Sequence, residues 1–464
     1  MELRFFRPAG AFWDALSVPG AHAPGYQPSP LSGLAPAASV LLMVSLSVGA
    51  VTAQEPAEPP AGVEELFESA AGSLRQGDPS KTLNVLQAIE SVEPDNPWMW
   101  YFRGSAHRRL GNPYQAMEAY DRALDELARA GNPDPELVER ITRERRQVRR
   151  QVFNLSLQAG LAYDTNVTYG GDTGSADFIS GEEDGKFATA LQFDYVPWVT
   201  EDEAFAFGGR LSDAWYFSVD EFDYQDYGVY ARYTRRLSEH WAFDLQYDYD
   251  FSYLGNDPFL SDHMIAPRFS YRWTPGDGAV WFDETALDYR IEAQDYLYET
   301  DAEFDRDGFA NSVGLQQTYR IRPVSERPDW LWDMATGYRL EYDATQGSEY
   351  DRLSNYFYFG LAVPMTNPLL DHKELTARFL ASWELDHYRN ASLIDQRHRD
   401  RRDLITTLGL VLSQVLVDDP RKGDVILHGI LNWTDADSNV IADDRSAPFS
   451  YDKLVAGFQL EWRF

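Results

Sequence analysis

Trp241-Ala-Phe-Asp-Leu-Gln-Tyr-Asp-Tyr-Asp-Phe-Ser-Tyr253 places an aromatic or aliphatic residue at every odd position and a small or polar one at every even position. Side chains on a β-strand alternate between two faces, so this is a strand with one apolar and one polar side. The pattern recurs in Phe153–Tyr163, Phe309–Ile321, Leu375–Leu385 and Leu454–Phe464, the last residue of the sequence. Strands of soluble sandwiches run about 5–6 residues. These run well beyond that, long enough to cross a bilayer when tilted. Fourteen such segments can be marked: 152–164, 186–197, 204–217, 224–236, 239–253, 263–274, 279–292, 308–321, 330–343, 353–364, 374–387, 403–416, 424–434 and 451–464. Aromatic residues crowd their ends, as in Trp330, Trp332, Tyr338 and Tyr342, where a membrane barrel carries its girdles.

The connectors support the same reading. Odd ones are mostly long and acidic (165–185, 293–307, 388–402, 435–450), whereas even ones such as Thr274-Pro275-Gly276-Asp277-Gly278 and Pro420-Arg421-Lys422-Gly423 are short. Outer-membrane barrels have long external loops, short periplasmic turns and an even strand number. The third and seventh segments are the least regular, because Asp213 and Asp283 fall on the nominally apolar phase. On the polar phase stand Arg210, Arg232, Asp244, Asp248, Arg268, Arg272, Arg320, Arg339 and Glu341, the candidates for a lumen of mixed sign. Fourteen strands fall between small filled barrels and open porins, so a narrow or partly plugged lumen is expected. At the end of the sequence, Phe458, Leu460, Trp462 and Phe464 resemble the terminal strand read by the bacterial barrel-assembly machinery.

Upstream of residue 151 the chain is of another kind. Leu31–Ala53 reads LSGLAPAASVLLMVSLSVGAVTA, a short apolar run ending in small residues, as in a secretory signal. Residues 1–53 are therefore read as signal, 54–62 as a Pro/Glu linker, 63–150 as a periplasmic helical domain and 151–464 as the barrel. Gly77-Asp78-Pro79 and Gly111-Asn112-Pro113 lie 34 residues apart, the period of the tetratricopeptide repeat. Trp100, Gly104, Gly111, Ala116, Tyr120 and Ala123 occupy the packing positions of such a repeat. A further helix follows Asp134, with six arginines between 140 and 150; it reads as a solvated cap, or as a contact for anionic head groups or an acidic client. The fold class is α + β multidomain: a short α-helical repeat domain, then a transmembrane antiparallel β-barrel of about 14 strands.

Composition narrows the function. The 464 residues carry 74 Asp+Glu against 41 Lys+Arg, a net charge of −33. Residues 151–464 hold 55 acids and 26 bases, net −29. Such a surface repels nucleic acid. The absence of Cys excludes disulfides, thiolate metal sites and thiol catalysis. No zinc-protease, nucleophile-elbow or phosphate-loop motif is present, and the histidines are dispersed. Asp435-Ala-Asp437-Ser-Asn439 opens like a calcium loop, but Val440 and Ser446 stand where Gly and Glu are required; a hydrated loop is the plainer reading. No cofactor, metal site or enzymatic activity is expected.

A signal, a short repeat domain and a fourteen-stranded barrel together resemble the surface lipoprotein assembly modifier family, and Gly160-Leu-Ala-Tyr-Asp-Thr-Asn-Val-Thr-Tyr-Gly170 is similar to a stretch common there. The resemblance implies delivery of client lipoproteins to the cell surface, although only two repeats are visible here. A polysaccharide export porin, a passive channel and a structural interaction protein of the outer membrane are the competing expectations. The expected partners are outer-membrane lipid and lipopolysaccharide, the barrel-assembly machinery, and a protein or polysaccharide client bound by the repeats.

Overall fold

The computed structural model describes residues 62–76, 78–130, 134–167, 182–200, 202–274, 276, 278–297, 305–322, 331–367, 374–392, 395, 399–419, 423–441, 447 and 449–464. The signal, most of the linker and parts of several loops lie outside this set. The chain forms two compact units, one helical and one built of strands.

The helical unit comprises α1 (Val63–Arg75), α2 (Pro79–Glu90), α3 (Pro97–Arg109), α4 (Pro113–Arg129) and α5 (Pro135–Val152). The last four each begin on proline, whose fixed φ and missing N–H suit the first helical position. Asp78 caps α2 by accepting from the Lys81 N–H at 2.9 Å, and Asn96 caps α3 through Trp98 N–H at 2.9 Å. Ala70, Leu86, Ile89 and Met99 form one core. Tyr101, Ala116, Tyr120, Ala123 and Leu127 form a second, completed by Leu137, Ile141 and Val148 of α5. Trp100 packs against both cores. Gly104 is required by close approach, since a Cβ there would lie 2.6 Å from the Tyr120 ring. Gly111 turns the chain between α3 and α4 at φ 72°.

The arginine-rich α5 thus turns an apolar stripe inward and packs as a cap. On that same face Glu144 accepts from Tyr101 Oη at 2.8 Å and Tyr120 Oη at 2.7 Å. Burial, reinforced by the Glu144 charge, pushes the Tyr101 phenol up to about 12. No helix among the described residues is long and apolar enough to cross a membrane.

The second unit is a closed antiparallel barrel: β1 (Phe153–Asp164), β2 (Asp184–Val199), β3 (Glu203–Tyr216), β4 (Tyr224–Arg236), β5 (Trp241–Leu254), β6 (Asp257–Arg272), β7 (Val280–Tyr296), β8 (Gly308–Ile321), β9 (Trp332–Thr345), β10 (Arg352–Thr366), β11 (Glu374–Ala391), β12 (Asp400–Asp419), β13 (Gly423–Ser438) and β14 (Tyr451–Arg463). Each strand pairs with its sequence neighbours, and β1 closes the ring on β14 with Ser156 opposite Arg463 and Asp164 opposite Val455. Lengths run from 12 residues in β1 to 20 in β12. The outward phase carries exposed large apolar residues around the ring, among them Leu161, Phe187, Phe207, Leu245, Phe269, Leu315, Phe357, Phe379, Leu408 and Phe458.

Three sequence expectations change. Asp283 does not face outward: a bulge between Phe282 and Glu284 shifts the phase of β7, and Asp283 reaches the inward Arg320 at 3.4 Å. Asp213 does keep the outward phase, three residues from the end of β3 and opposite Gln225. The 435–439 stretch is not a loop, because Asp435 and Asp437 pair within β13 against Thr406 and Leu404. Asn439 instead accepts from Arg402 N–H at 2.8 Å. Connector lengths also vary more than expected. The β5–β6 connection is only Gly255-Asn256, both at positive φ (56° and 72°), the two-residue turn that matches strand twist. The β8–β9 connection on the other side spans 322–331.

We expect Glu144→Ala to leave two buried phenols without their acceptor and to lower the stability of the helical unit by about 1–3 kcal/mol. Hydrogen exchange across 97–152 in the intact chain should accelerate while exchange in the barrel strands does not.

Candidate functional site: the inner wall of the barrel

Because successive side chains alternate, a barrel that turns its apolar phase outward must line its interior with the polar phase. Here that phase is densely ionised. Arg210 on β3 bonds Asp226 at 3.2 Å and Asp250 at 3.0 Å, with its side chain 50% exposed. Arg268 bonds Glu284 at 2.7 Å. Arg320 bridges Asp283 and Asp333, the latter at 2.7 Å and 58% exposed. Exposures of this size on inward side chains mean that water reaches the middle of the wall.

The other sequence candidates are placed as follows. Asp244 accepts from Thr234 Oγ1 at 2.6 Å. Asp248 is buried and accepts from Gln246 at 2.9 Å. Arg232 lies opposite Gln246 and Ala206. Arg339 lines a small recess with Asp288, Gly314, Gln316 and Tyr358. Glu341 contacts Arg352 at 3.8 Å. Arg272 ends β6, exposed at the turn side, opposite Glu284, its N–H donating to His240 O at 2.8 Å. Phe458, Leu460 and Trp462 point outward with 58%, 48% and 39% exposure, and Phe464 exchanges backbone hydrogen bonds with Leu155.

Two constellations escaped sequence reading. The first is an arginine hub: Arg352, at the start of β10, contacts Asp343 (2.5 Å), Asp386 (2.8 Å), Glu384 (3.5 Å) and Glu341. Ser354 donates to the same Asp386. Four carboxylates converge on this one guanidinium. The second lies across the closing seam. Asp164 of β1, fully buried, receives Lys186 of β2 at 3.3 Å and Lys453 of β14 at 3.0 Å. Tyr216 Oη, on β3, lies 3.2 Å from Asp164 and 3.1 Å from Lys186. One signal could have found it: only four lysines follow residue 151, and two of them sit on the inward phase where their strands begin.

Outside the strands, Asp395 and Arg399 pair at 3.0 Å, and Asp395 also accepts the Arg399 and Ile441 N–H groups. These bonds, the Arg399 side chain first, hold its carboxyl well below the usual carboxylate range. The contribution of this tether to stability is therefore complete above the ordinary carboxylate pKa and is lost as pH falls through the depressed one.

No protein-family model matches this chain, and no curated protein matches its sequence. Solved structures do match in part. A bacterial polysaccharide outer membrane secretin aligns with 66% of this chain and 98% of its own, at 11% identity and a TM-score of 0.35. The anion-selective porin from Comamonas acidovorans aligns over 68% and 99%, at 9% identity and 0.34. The outer membrane protein opdK from Pseudomonas aeruginosa aligns over 68% and 99%, at 7% identity and 0.34.

We expect Asp164→Asn to be severe, because it strands two buried ammonium groups; removing one partner of a buried ion pair costs about 3–5 kcal/mol. The loss is read as a lower temperature for conversion of the compact, unheated gel form to the unfolded form. An unchanged transition would show that the seam does not depend on this cluster.

Proposed function

We propose that this chain is an outer-membrane β-barrel that provides a water-filled path for polar or charged solutes, with its N-terminal helical unit in the periplasm. One observation carries the reading: a closed ring whose outer face is apolar and whose inner face holds exposed, ionised side chains of both signs. Lipid satisfies the first face and water the second. On the loop half of the inner wall carboxylates outnumber cations. Asp164, Asp184, Asp226, Asp248, Asp250, Asp262, Glu292, Glu341, Asp343, Glu384, Asp386 and Asp403 stand there against Lys186, Arg210, Arg290, Arg339, Arg352, Arg401 and Lys453. The loop half of the path therefore favours cations.

The helical unit is the docking element in this reading. Its helix pairs are tetratricopeptide repeats that meet a periplasmic client, and the client class suggested by the architecture is a lipoprotein bound for the cell surface. Polysaccharide export is the second possibility. The acidic loops would share divalent cations with lipopolysaccharide, and the terminal strand would be read by the assembly machinery.

Purified protein in planar bilayers should conduct, with a reversal potential in a salt gradient that marks cation preference. Neutralising Glu341 and Asp343 together (Glu341→Gln, Asp343→Asn) should reduce that preference at least about twofold, following the local charge density of the wall. A barrel that inserts but carries no current would refute the open path. Heated and unheated samples should migrate differently on gels.

A further inference from the structure

Across four adjacent strands the inner wall carries a relay that no motif in the sequence announces. Ser413 Oγ on β12 lies 2.9 Å from His428 Nδ1 on β13. His428 Nε2 lies 3.1 Å from Glu461 Oε2 on β14. Glu461 is held in turn by Ser156 Oγ at 2.8 Å on β1 and by three contacts from Arg463, at 3.1, 2.9 and 2.8 Å. Glu461 is almost fully buried and His428 retains 15% side-chain exposure. The register explains the meeting: Ser413 is directly opposite His428, and Glu461 is opposite Ile426, one inward step along β13.

The chemistry follows from which atoms can donate. A carboxylate only accepts, so in neutral His428 the proton sits on Nε2, facing Glu461. Nδ1 then presents its lone pair to the Ser413 hydroxyl. A hydroxyl bonded to an imidazole that is oriented by a buried carboxylate is the arrangement of an activated serine, recognised by geometry rather than by sequence order. The two ring nitrogens are exchanged relative to the common serine-protease case. The bulge between Val415 and Val417 adjoins Ser413, and bulges recur where a strand re-aims a functional side chain. Arg378 belongs to the inner wall of β11, opposite Val411, and the charges of Arg463 and Glu461 act on it. In a closed barrel the backbone N–H groups are committed to the ladder, so a developing oxyanion must be met by side chains, and the guanidiniums of Arg378 and Arg463 are the cations of this wall.

We infer that Ser413, His428 and Glu461 form a nucleophilic acyl-transfer site on the turn half of the lumen, away from the acidic loop half, which takes carboxylic esters of anionic solutes arriving from the turn side. Ser413 Oγ forms a bond to the ester carbonyl carbon as its proton passes to Nδ1. The carbon–alkoxy bond then breaks, and the leaving alcohol takes that proton. Water repeats the sequence in the second half: its proton goes to Nδ1, its oxygen bonds the acyl carbon, and the acid leaves as Ser413 recovers its hydroxyl. Arg378 and Arg463 stabilise the negative charge at the tetrahedral stage and select an anionic substrate.

The test uses the full chain, folded in detergent, with a fluorophosphonate probe and peptide mass mapping. We expect a covalent adduct on Ser413, absent in Ser413→Ala, and labelling at least about tenfold slower in His428→Gln, as loss of a general base requires. Heat-modifiable migration of both variants establishes that they are folded. If His428→Gln does not fold, Glu461→Gln takes its place, and its labelling should slow likewise. A folded wild-type protein with no adduct on Ser413 overturns the inference. So does labelling at the wild-type rate in the folded His428 or Glu461 variant. Labelling reports on the serine whether or not the barrel conducts, so the two readings fail separately.

Discussion

Backbone hydrogen bonding between the first and last strands is the constraint on which the barrel depends. An open sheet leaves a row of N–H and C=O groups on each edge, and hydrocarbon offers them nothing. Pairing Ser156–Asp164 against Arg463–Val455 removes both edges at once. The same seam holds the fully buried Asp164. Asp164, Lys186 and Lys453 join β14, β1 and β2 near the loop side, while Ser156 and Glu461 bind β1 to β14 near the turn side. Side chains thus reinforce the ladder at both ends of the pairing that must form across the greatest separation in sequence.

The two faces of the wall are stabilised differently. Outward residues gain by transfer from water to lipid and need no specific partners. Inward residues are ionised in a region with limited water, so each charge needs an opposite neighbour or access to solvent. Arg352 is ringed by carboxylates, whereas Arg210 and Asp333 keep half or more of their side-chain surface in water. The wall is consequently a graded surface of paired and hydrated charge.

Much of this was legible because period-two alternation is local. Trp241–Tyr253 declares its faces with no knowledge of its neighbours, and the fourteen segments marked in the sequence each correspond to a strand. Asp283 was misplaced because a bulge adds one residue and reverses the phase, a change decided by pairing with β8. Asp435 and Asp437 misled because spacing alone cannot separate a metal loop from an extended strand. Arg210 and Arg320 could be assigned to the inner face but not to their partners. The Ser413–His428–Glu461 contacts and the Asp164 cluster were invisible for the same reason: each joins strands whose relative register only the closed ring determines. In the helical unit, α5 was read only as a solvated cap or a contact; its inward stripe and the convergence of Tyr101 and Tyr120 on Glu144 depend on three helices at once.

The strands are of unequal length, and this has a mechanical consequence. A bilayer needs about 9–11 residues of a tilted strand. β1 has 12, so it fits with little to spare, whereas β11 and β12, with 18 and 20, rise past the hydrocarbon by several residues at about 3.3 Å each. The wall is therefore of uneven height, shortest at β1 and tallest at β12, only three strands away around the ring. Approach along the rim is thus unequal: the tall strands obstruct it where the short ones leave it open.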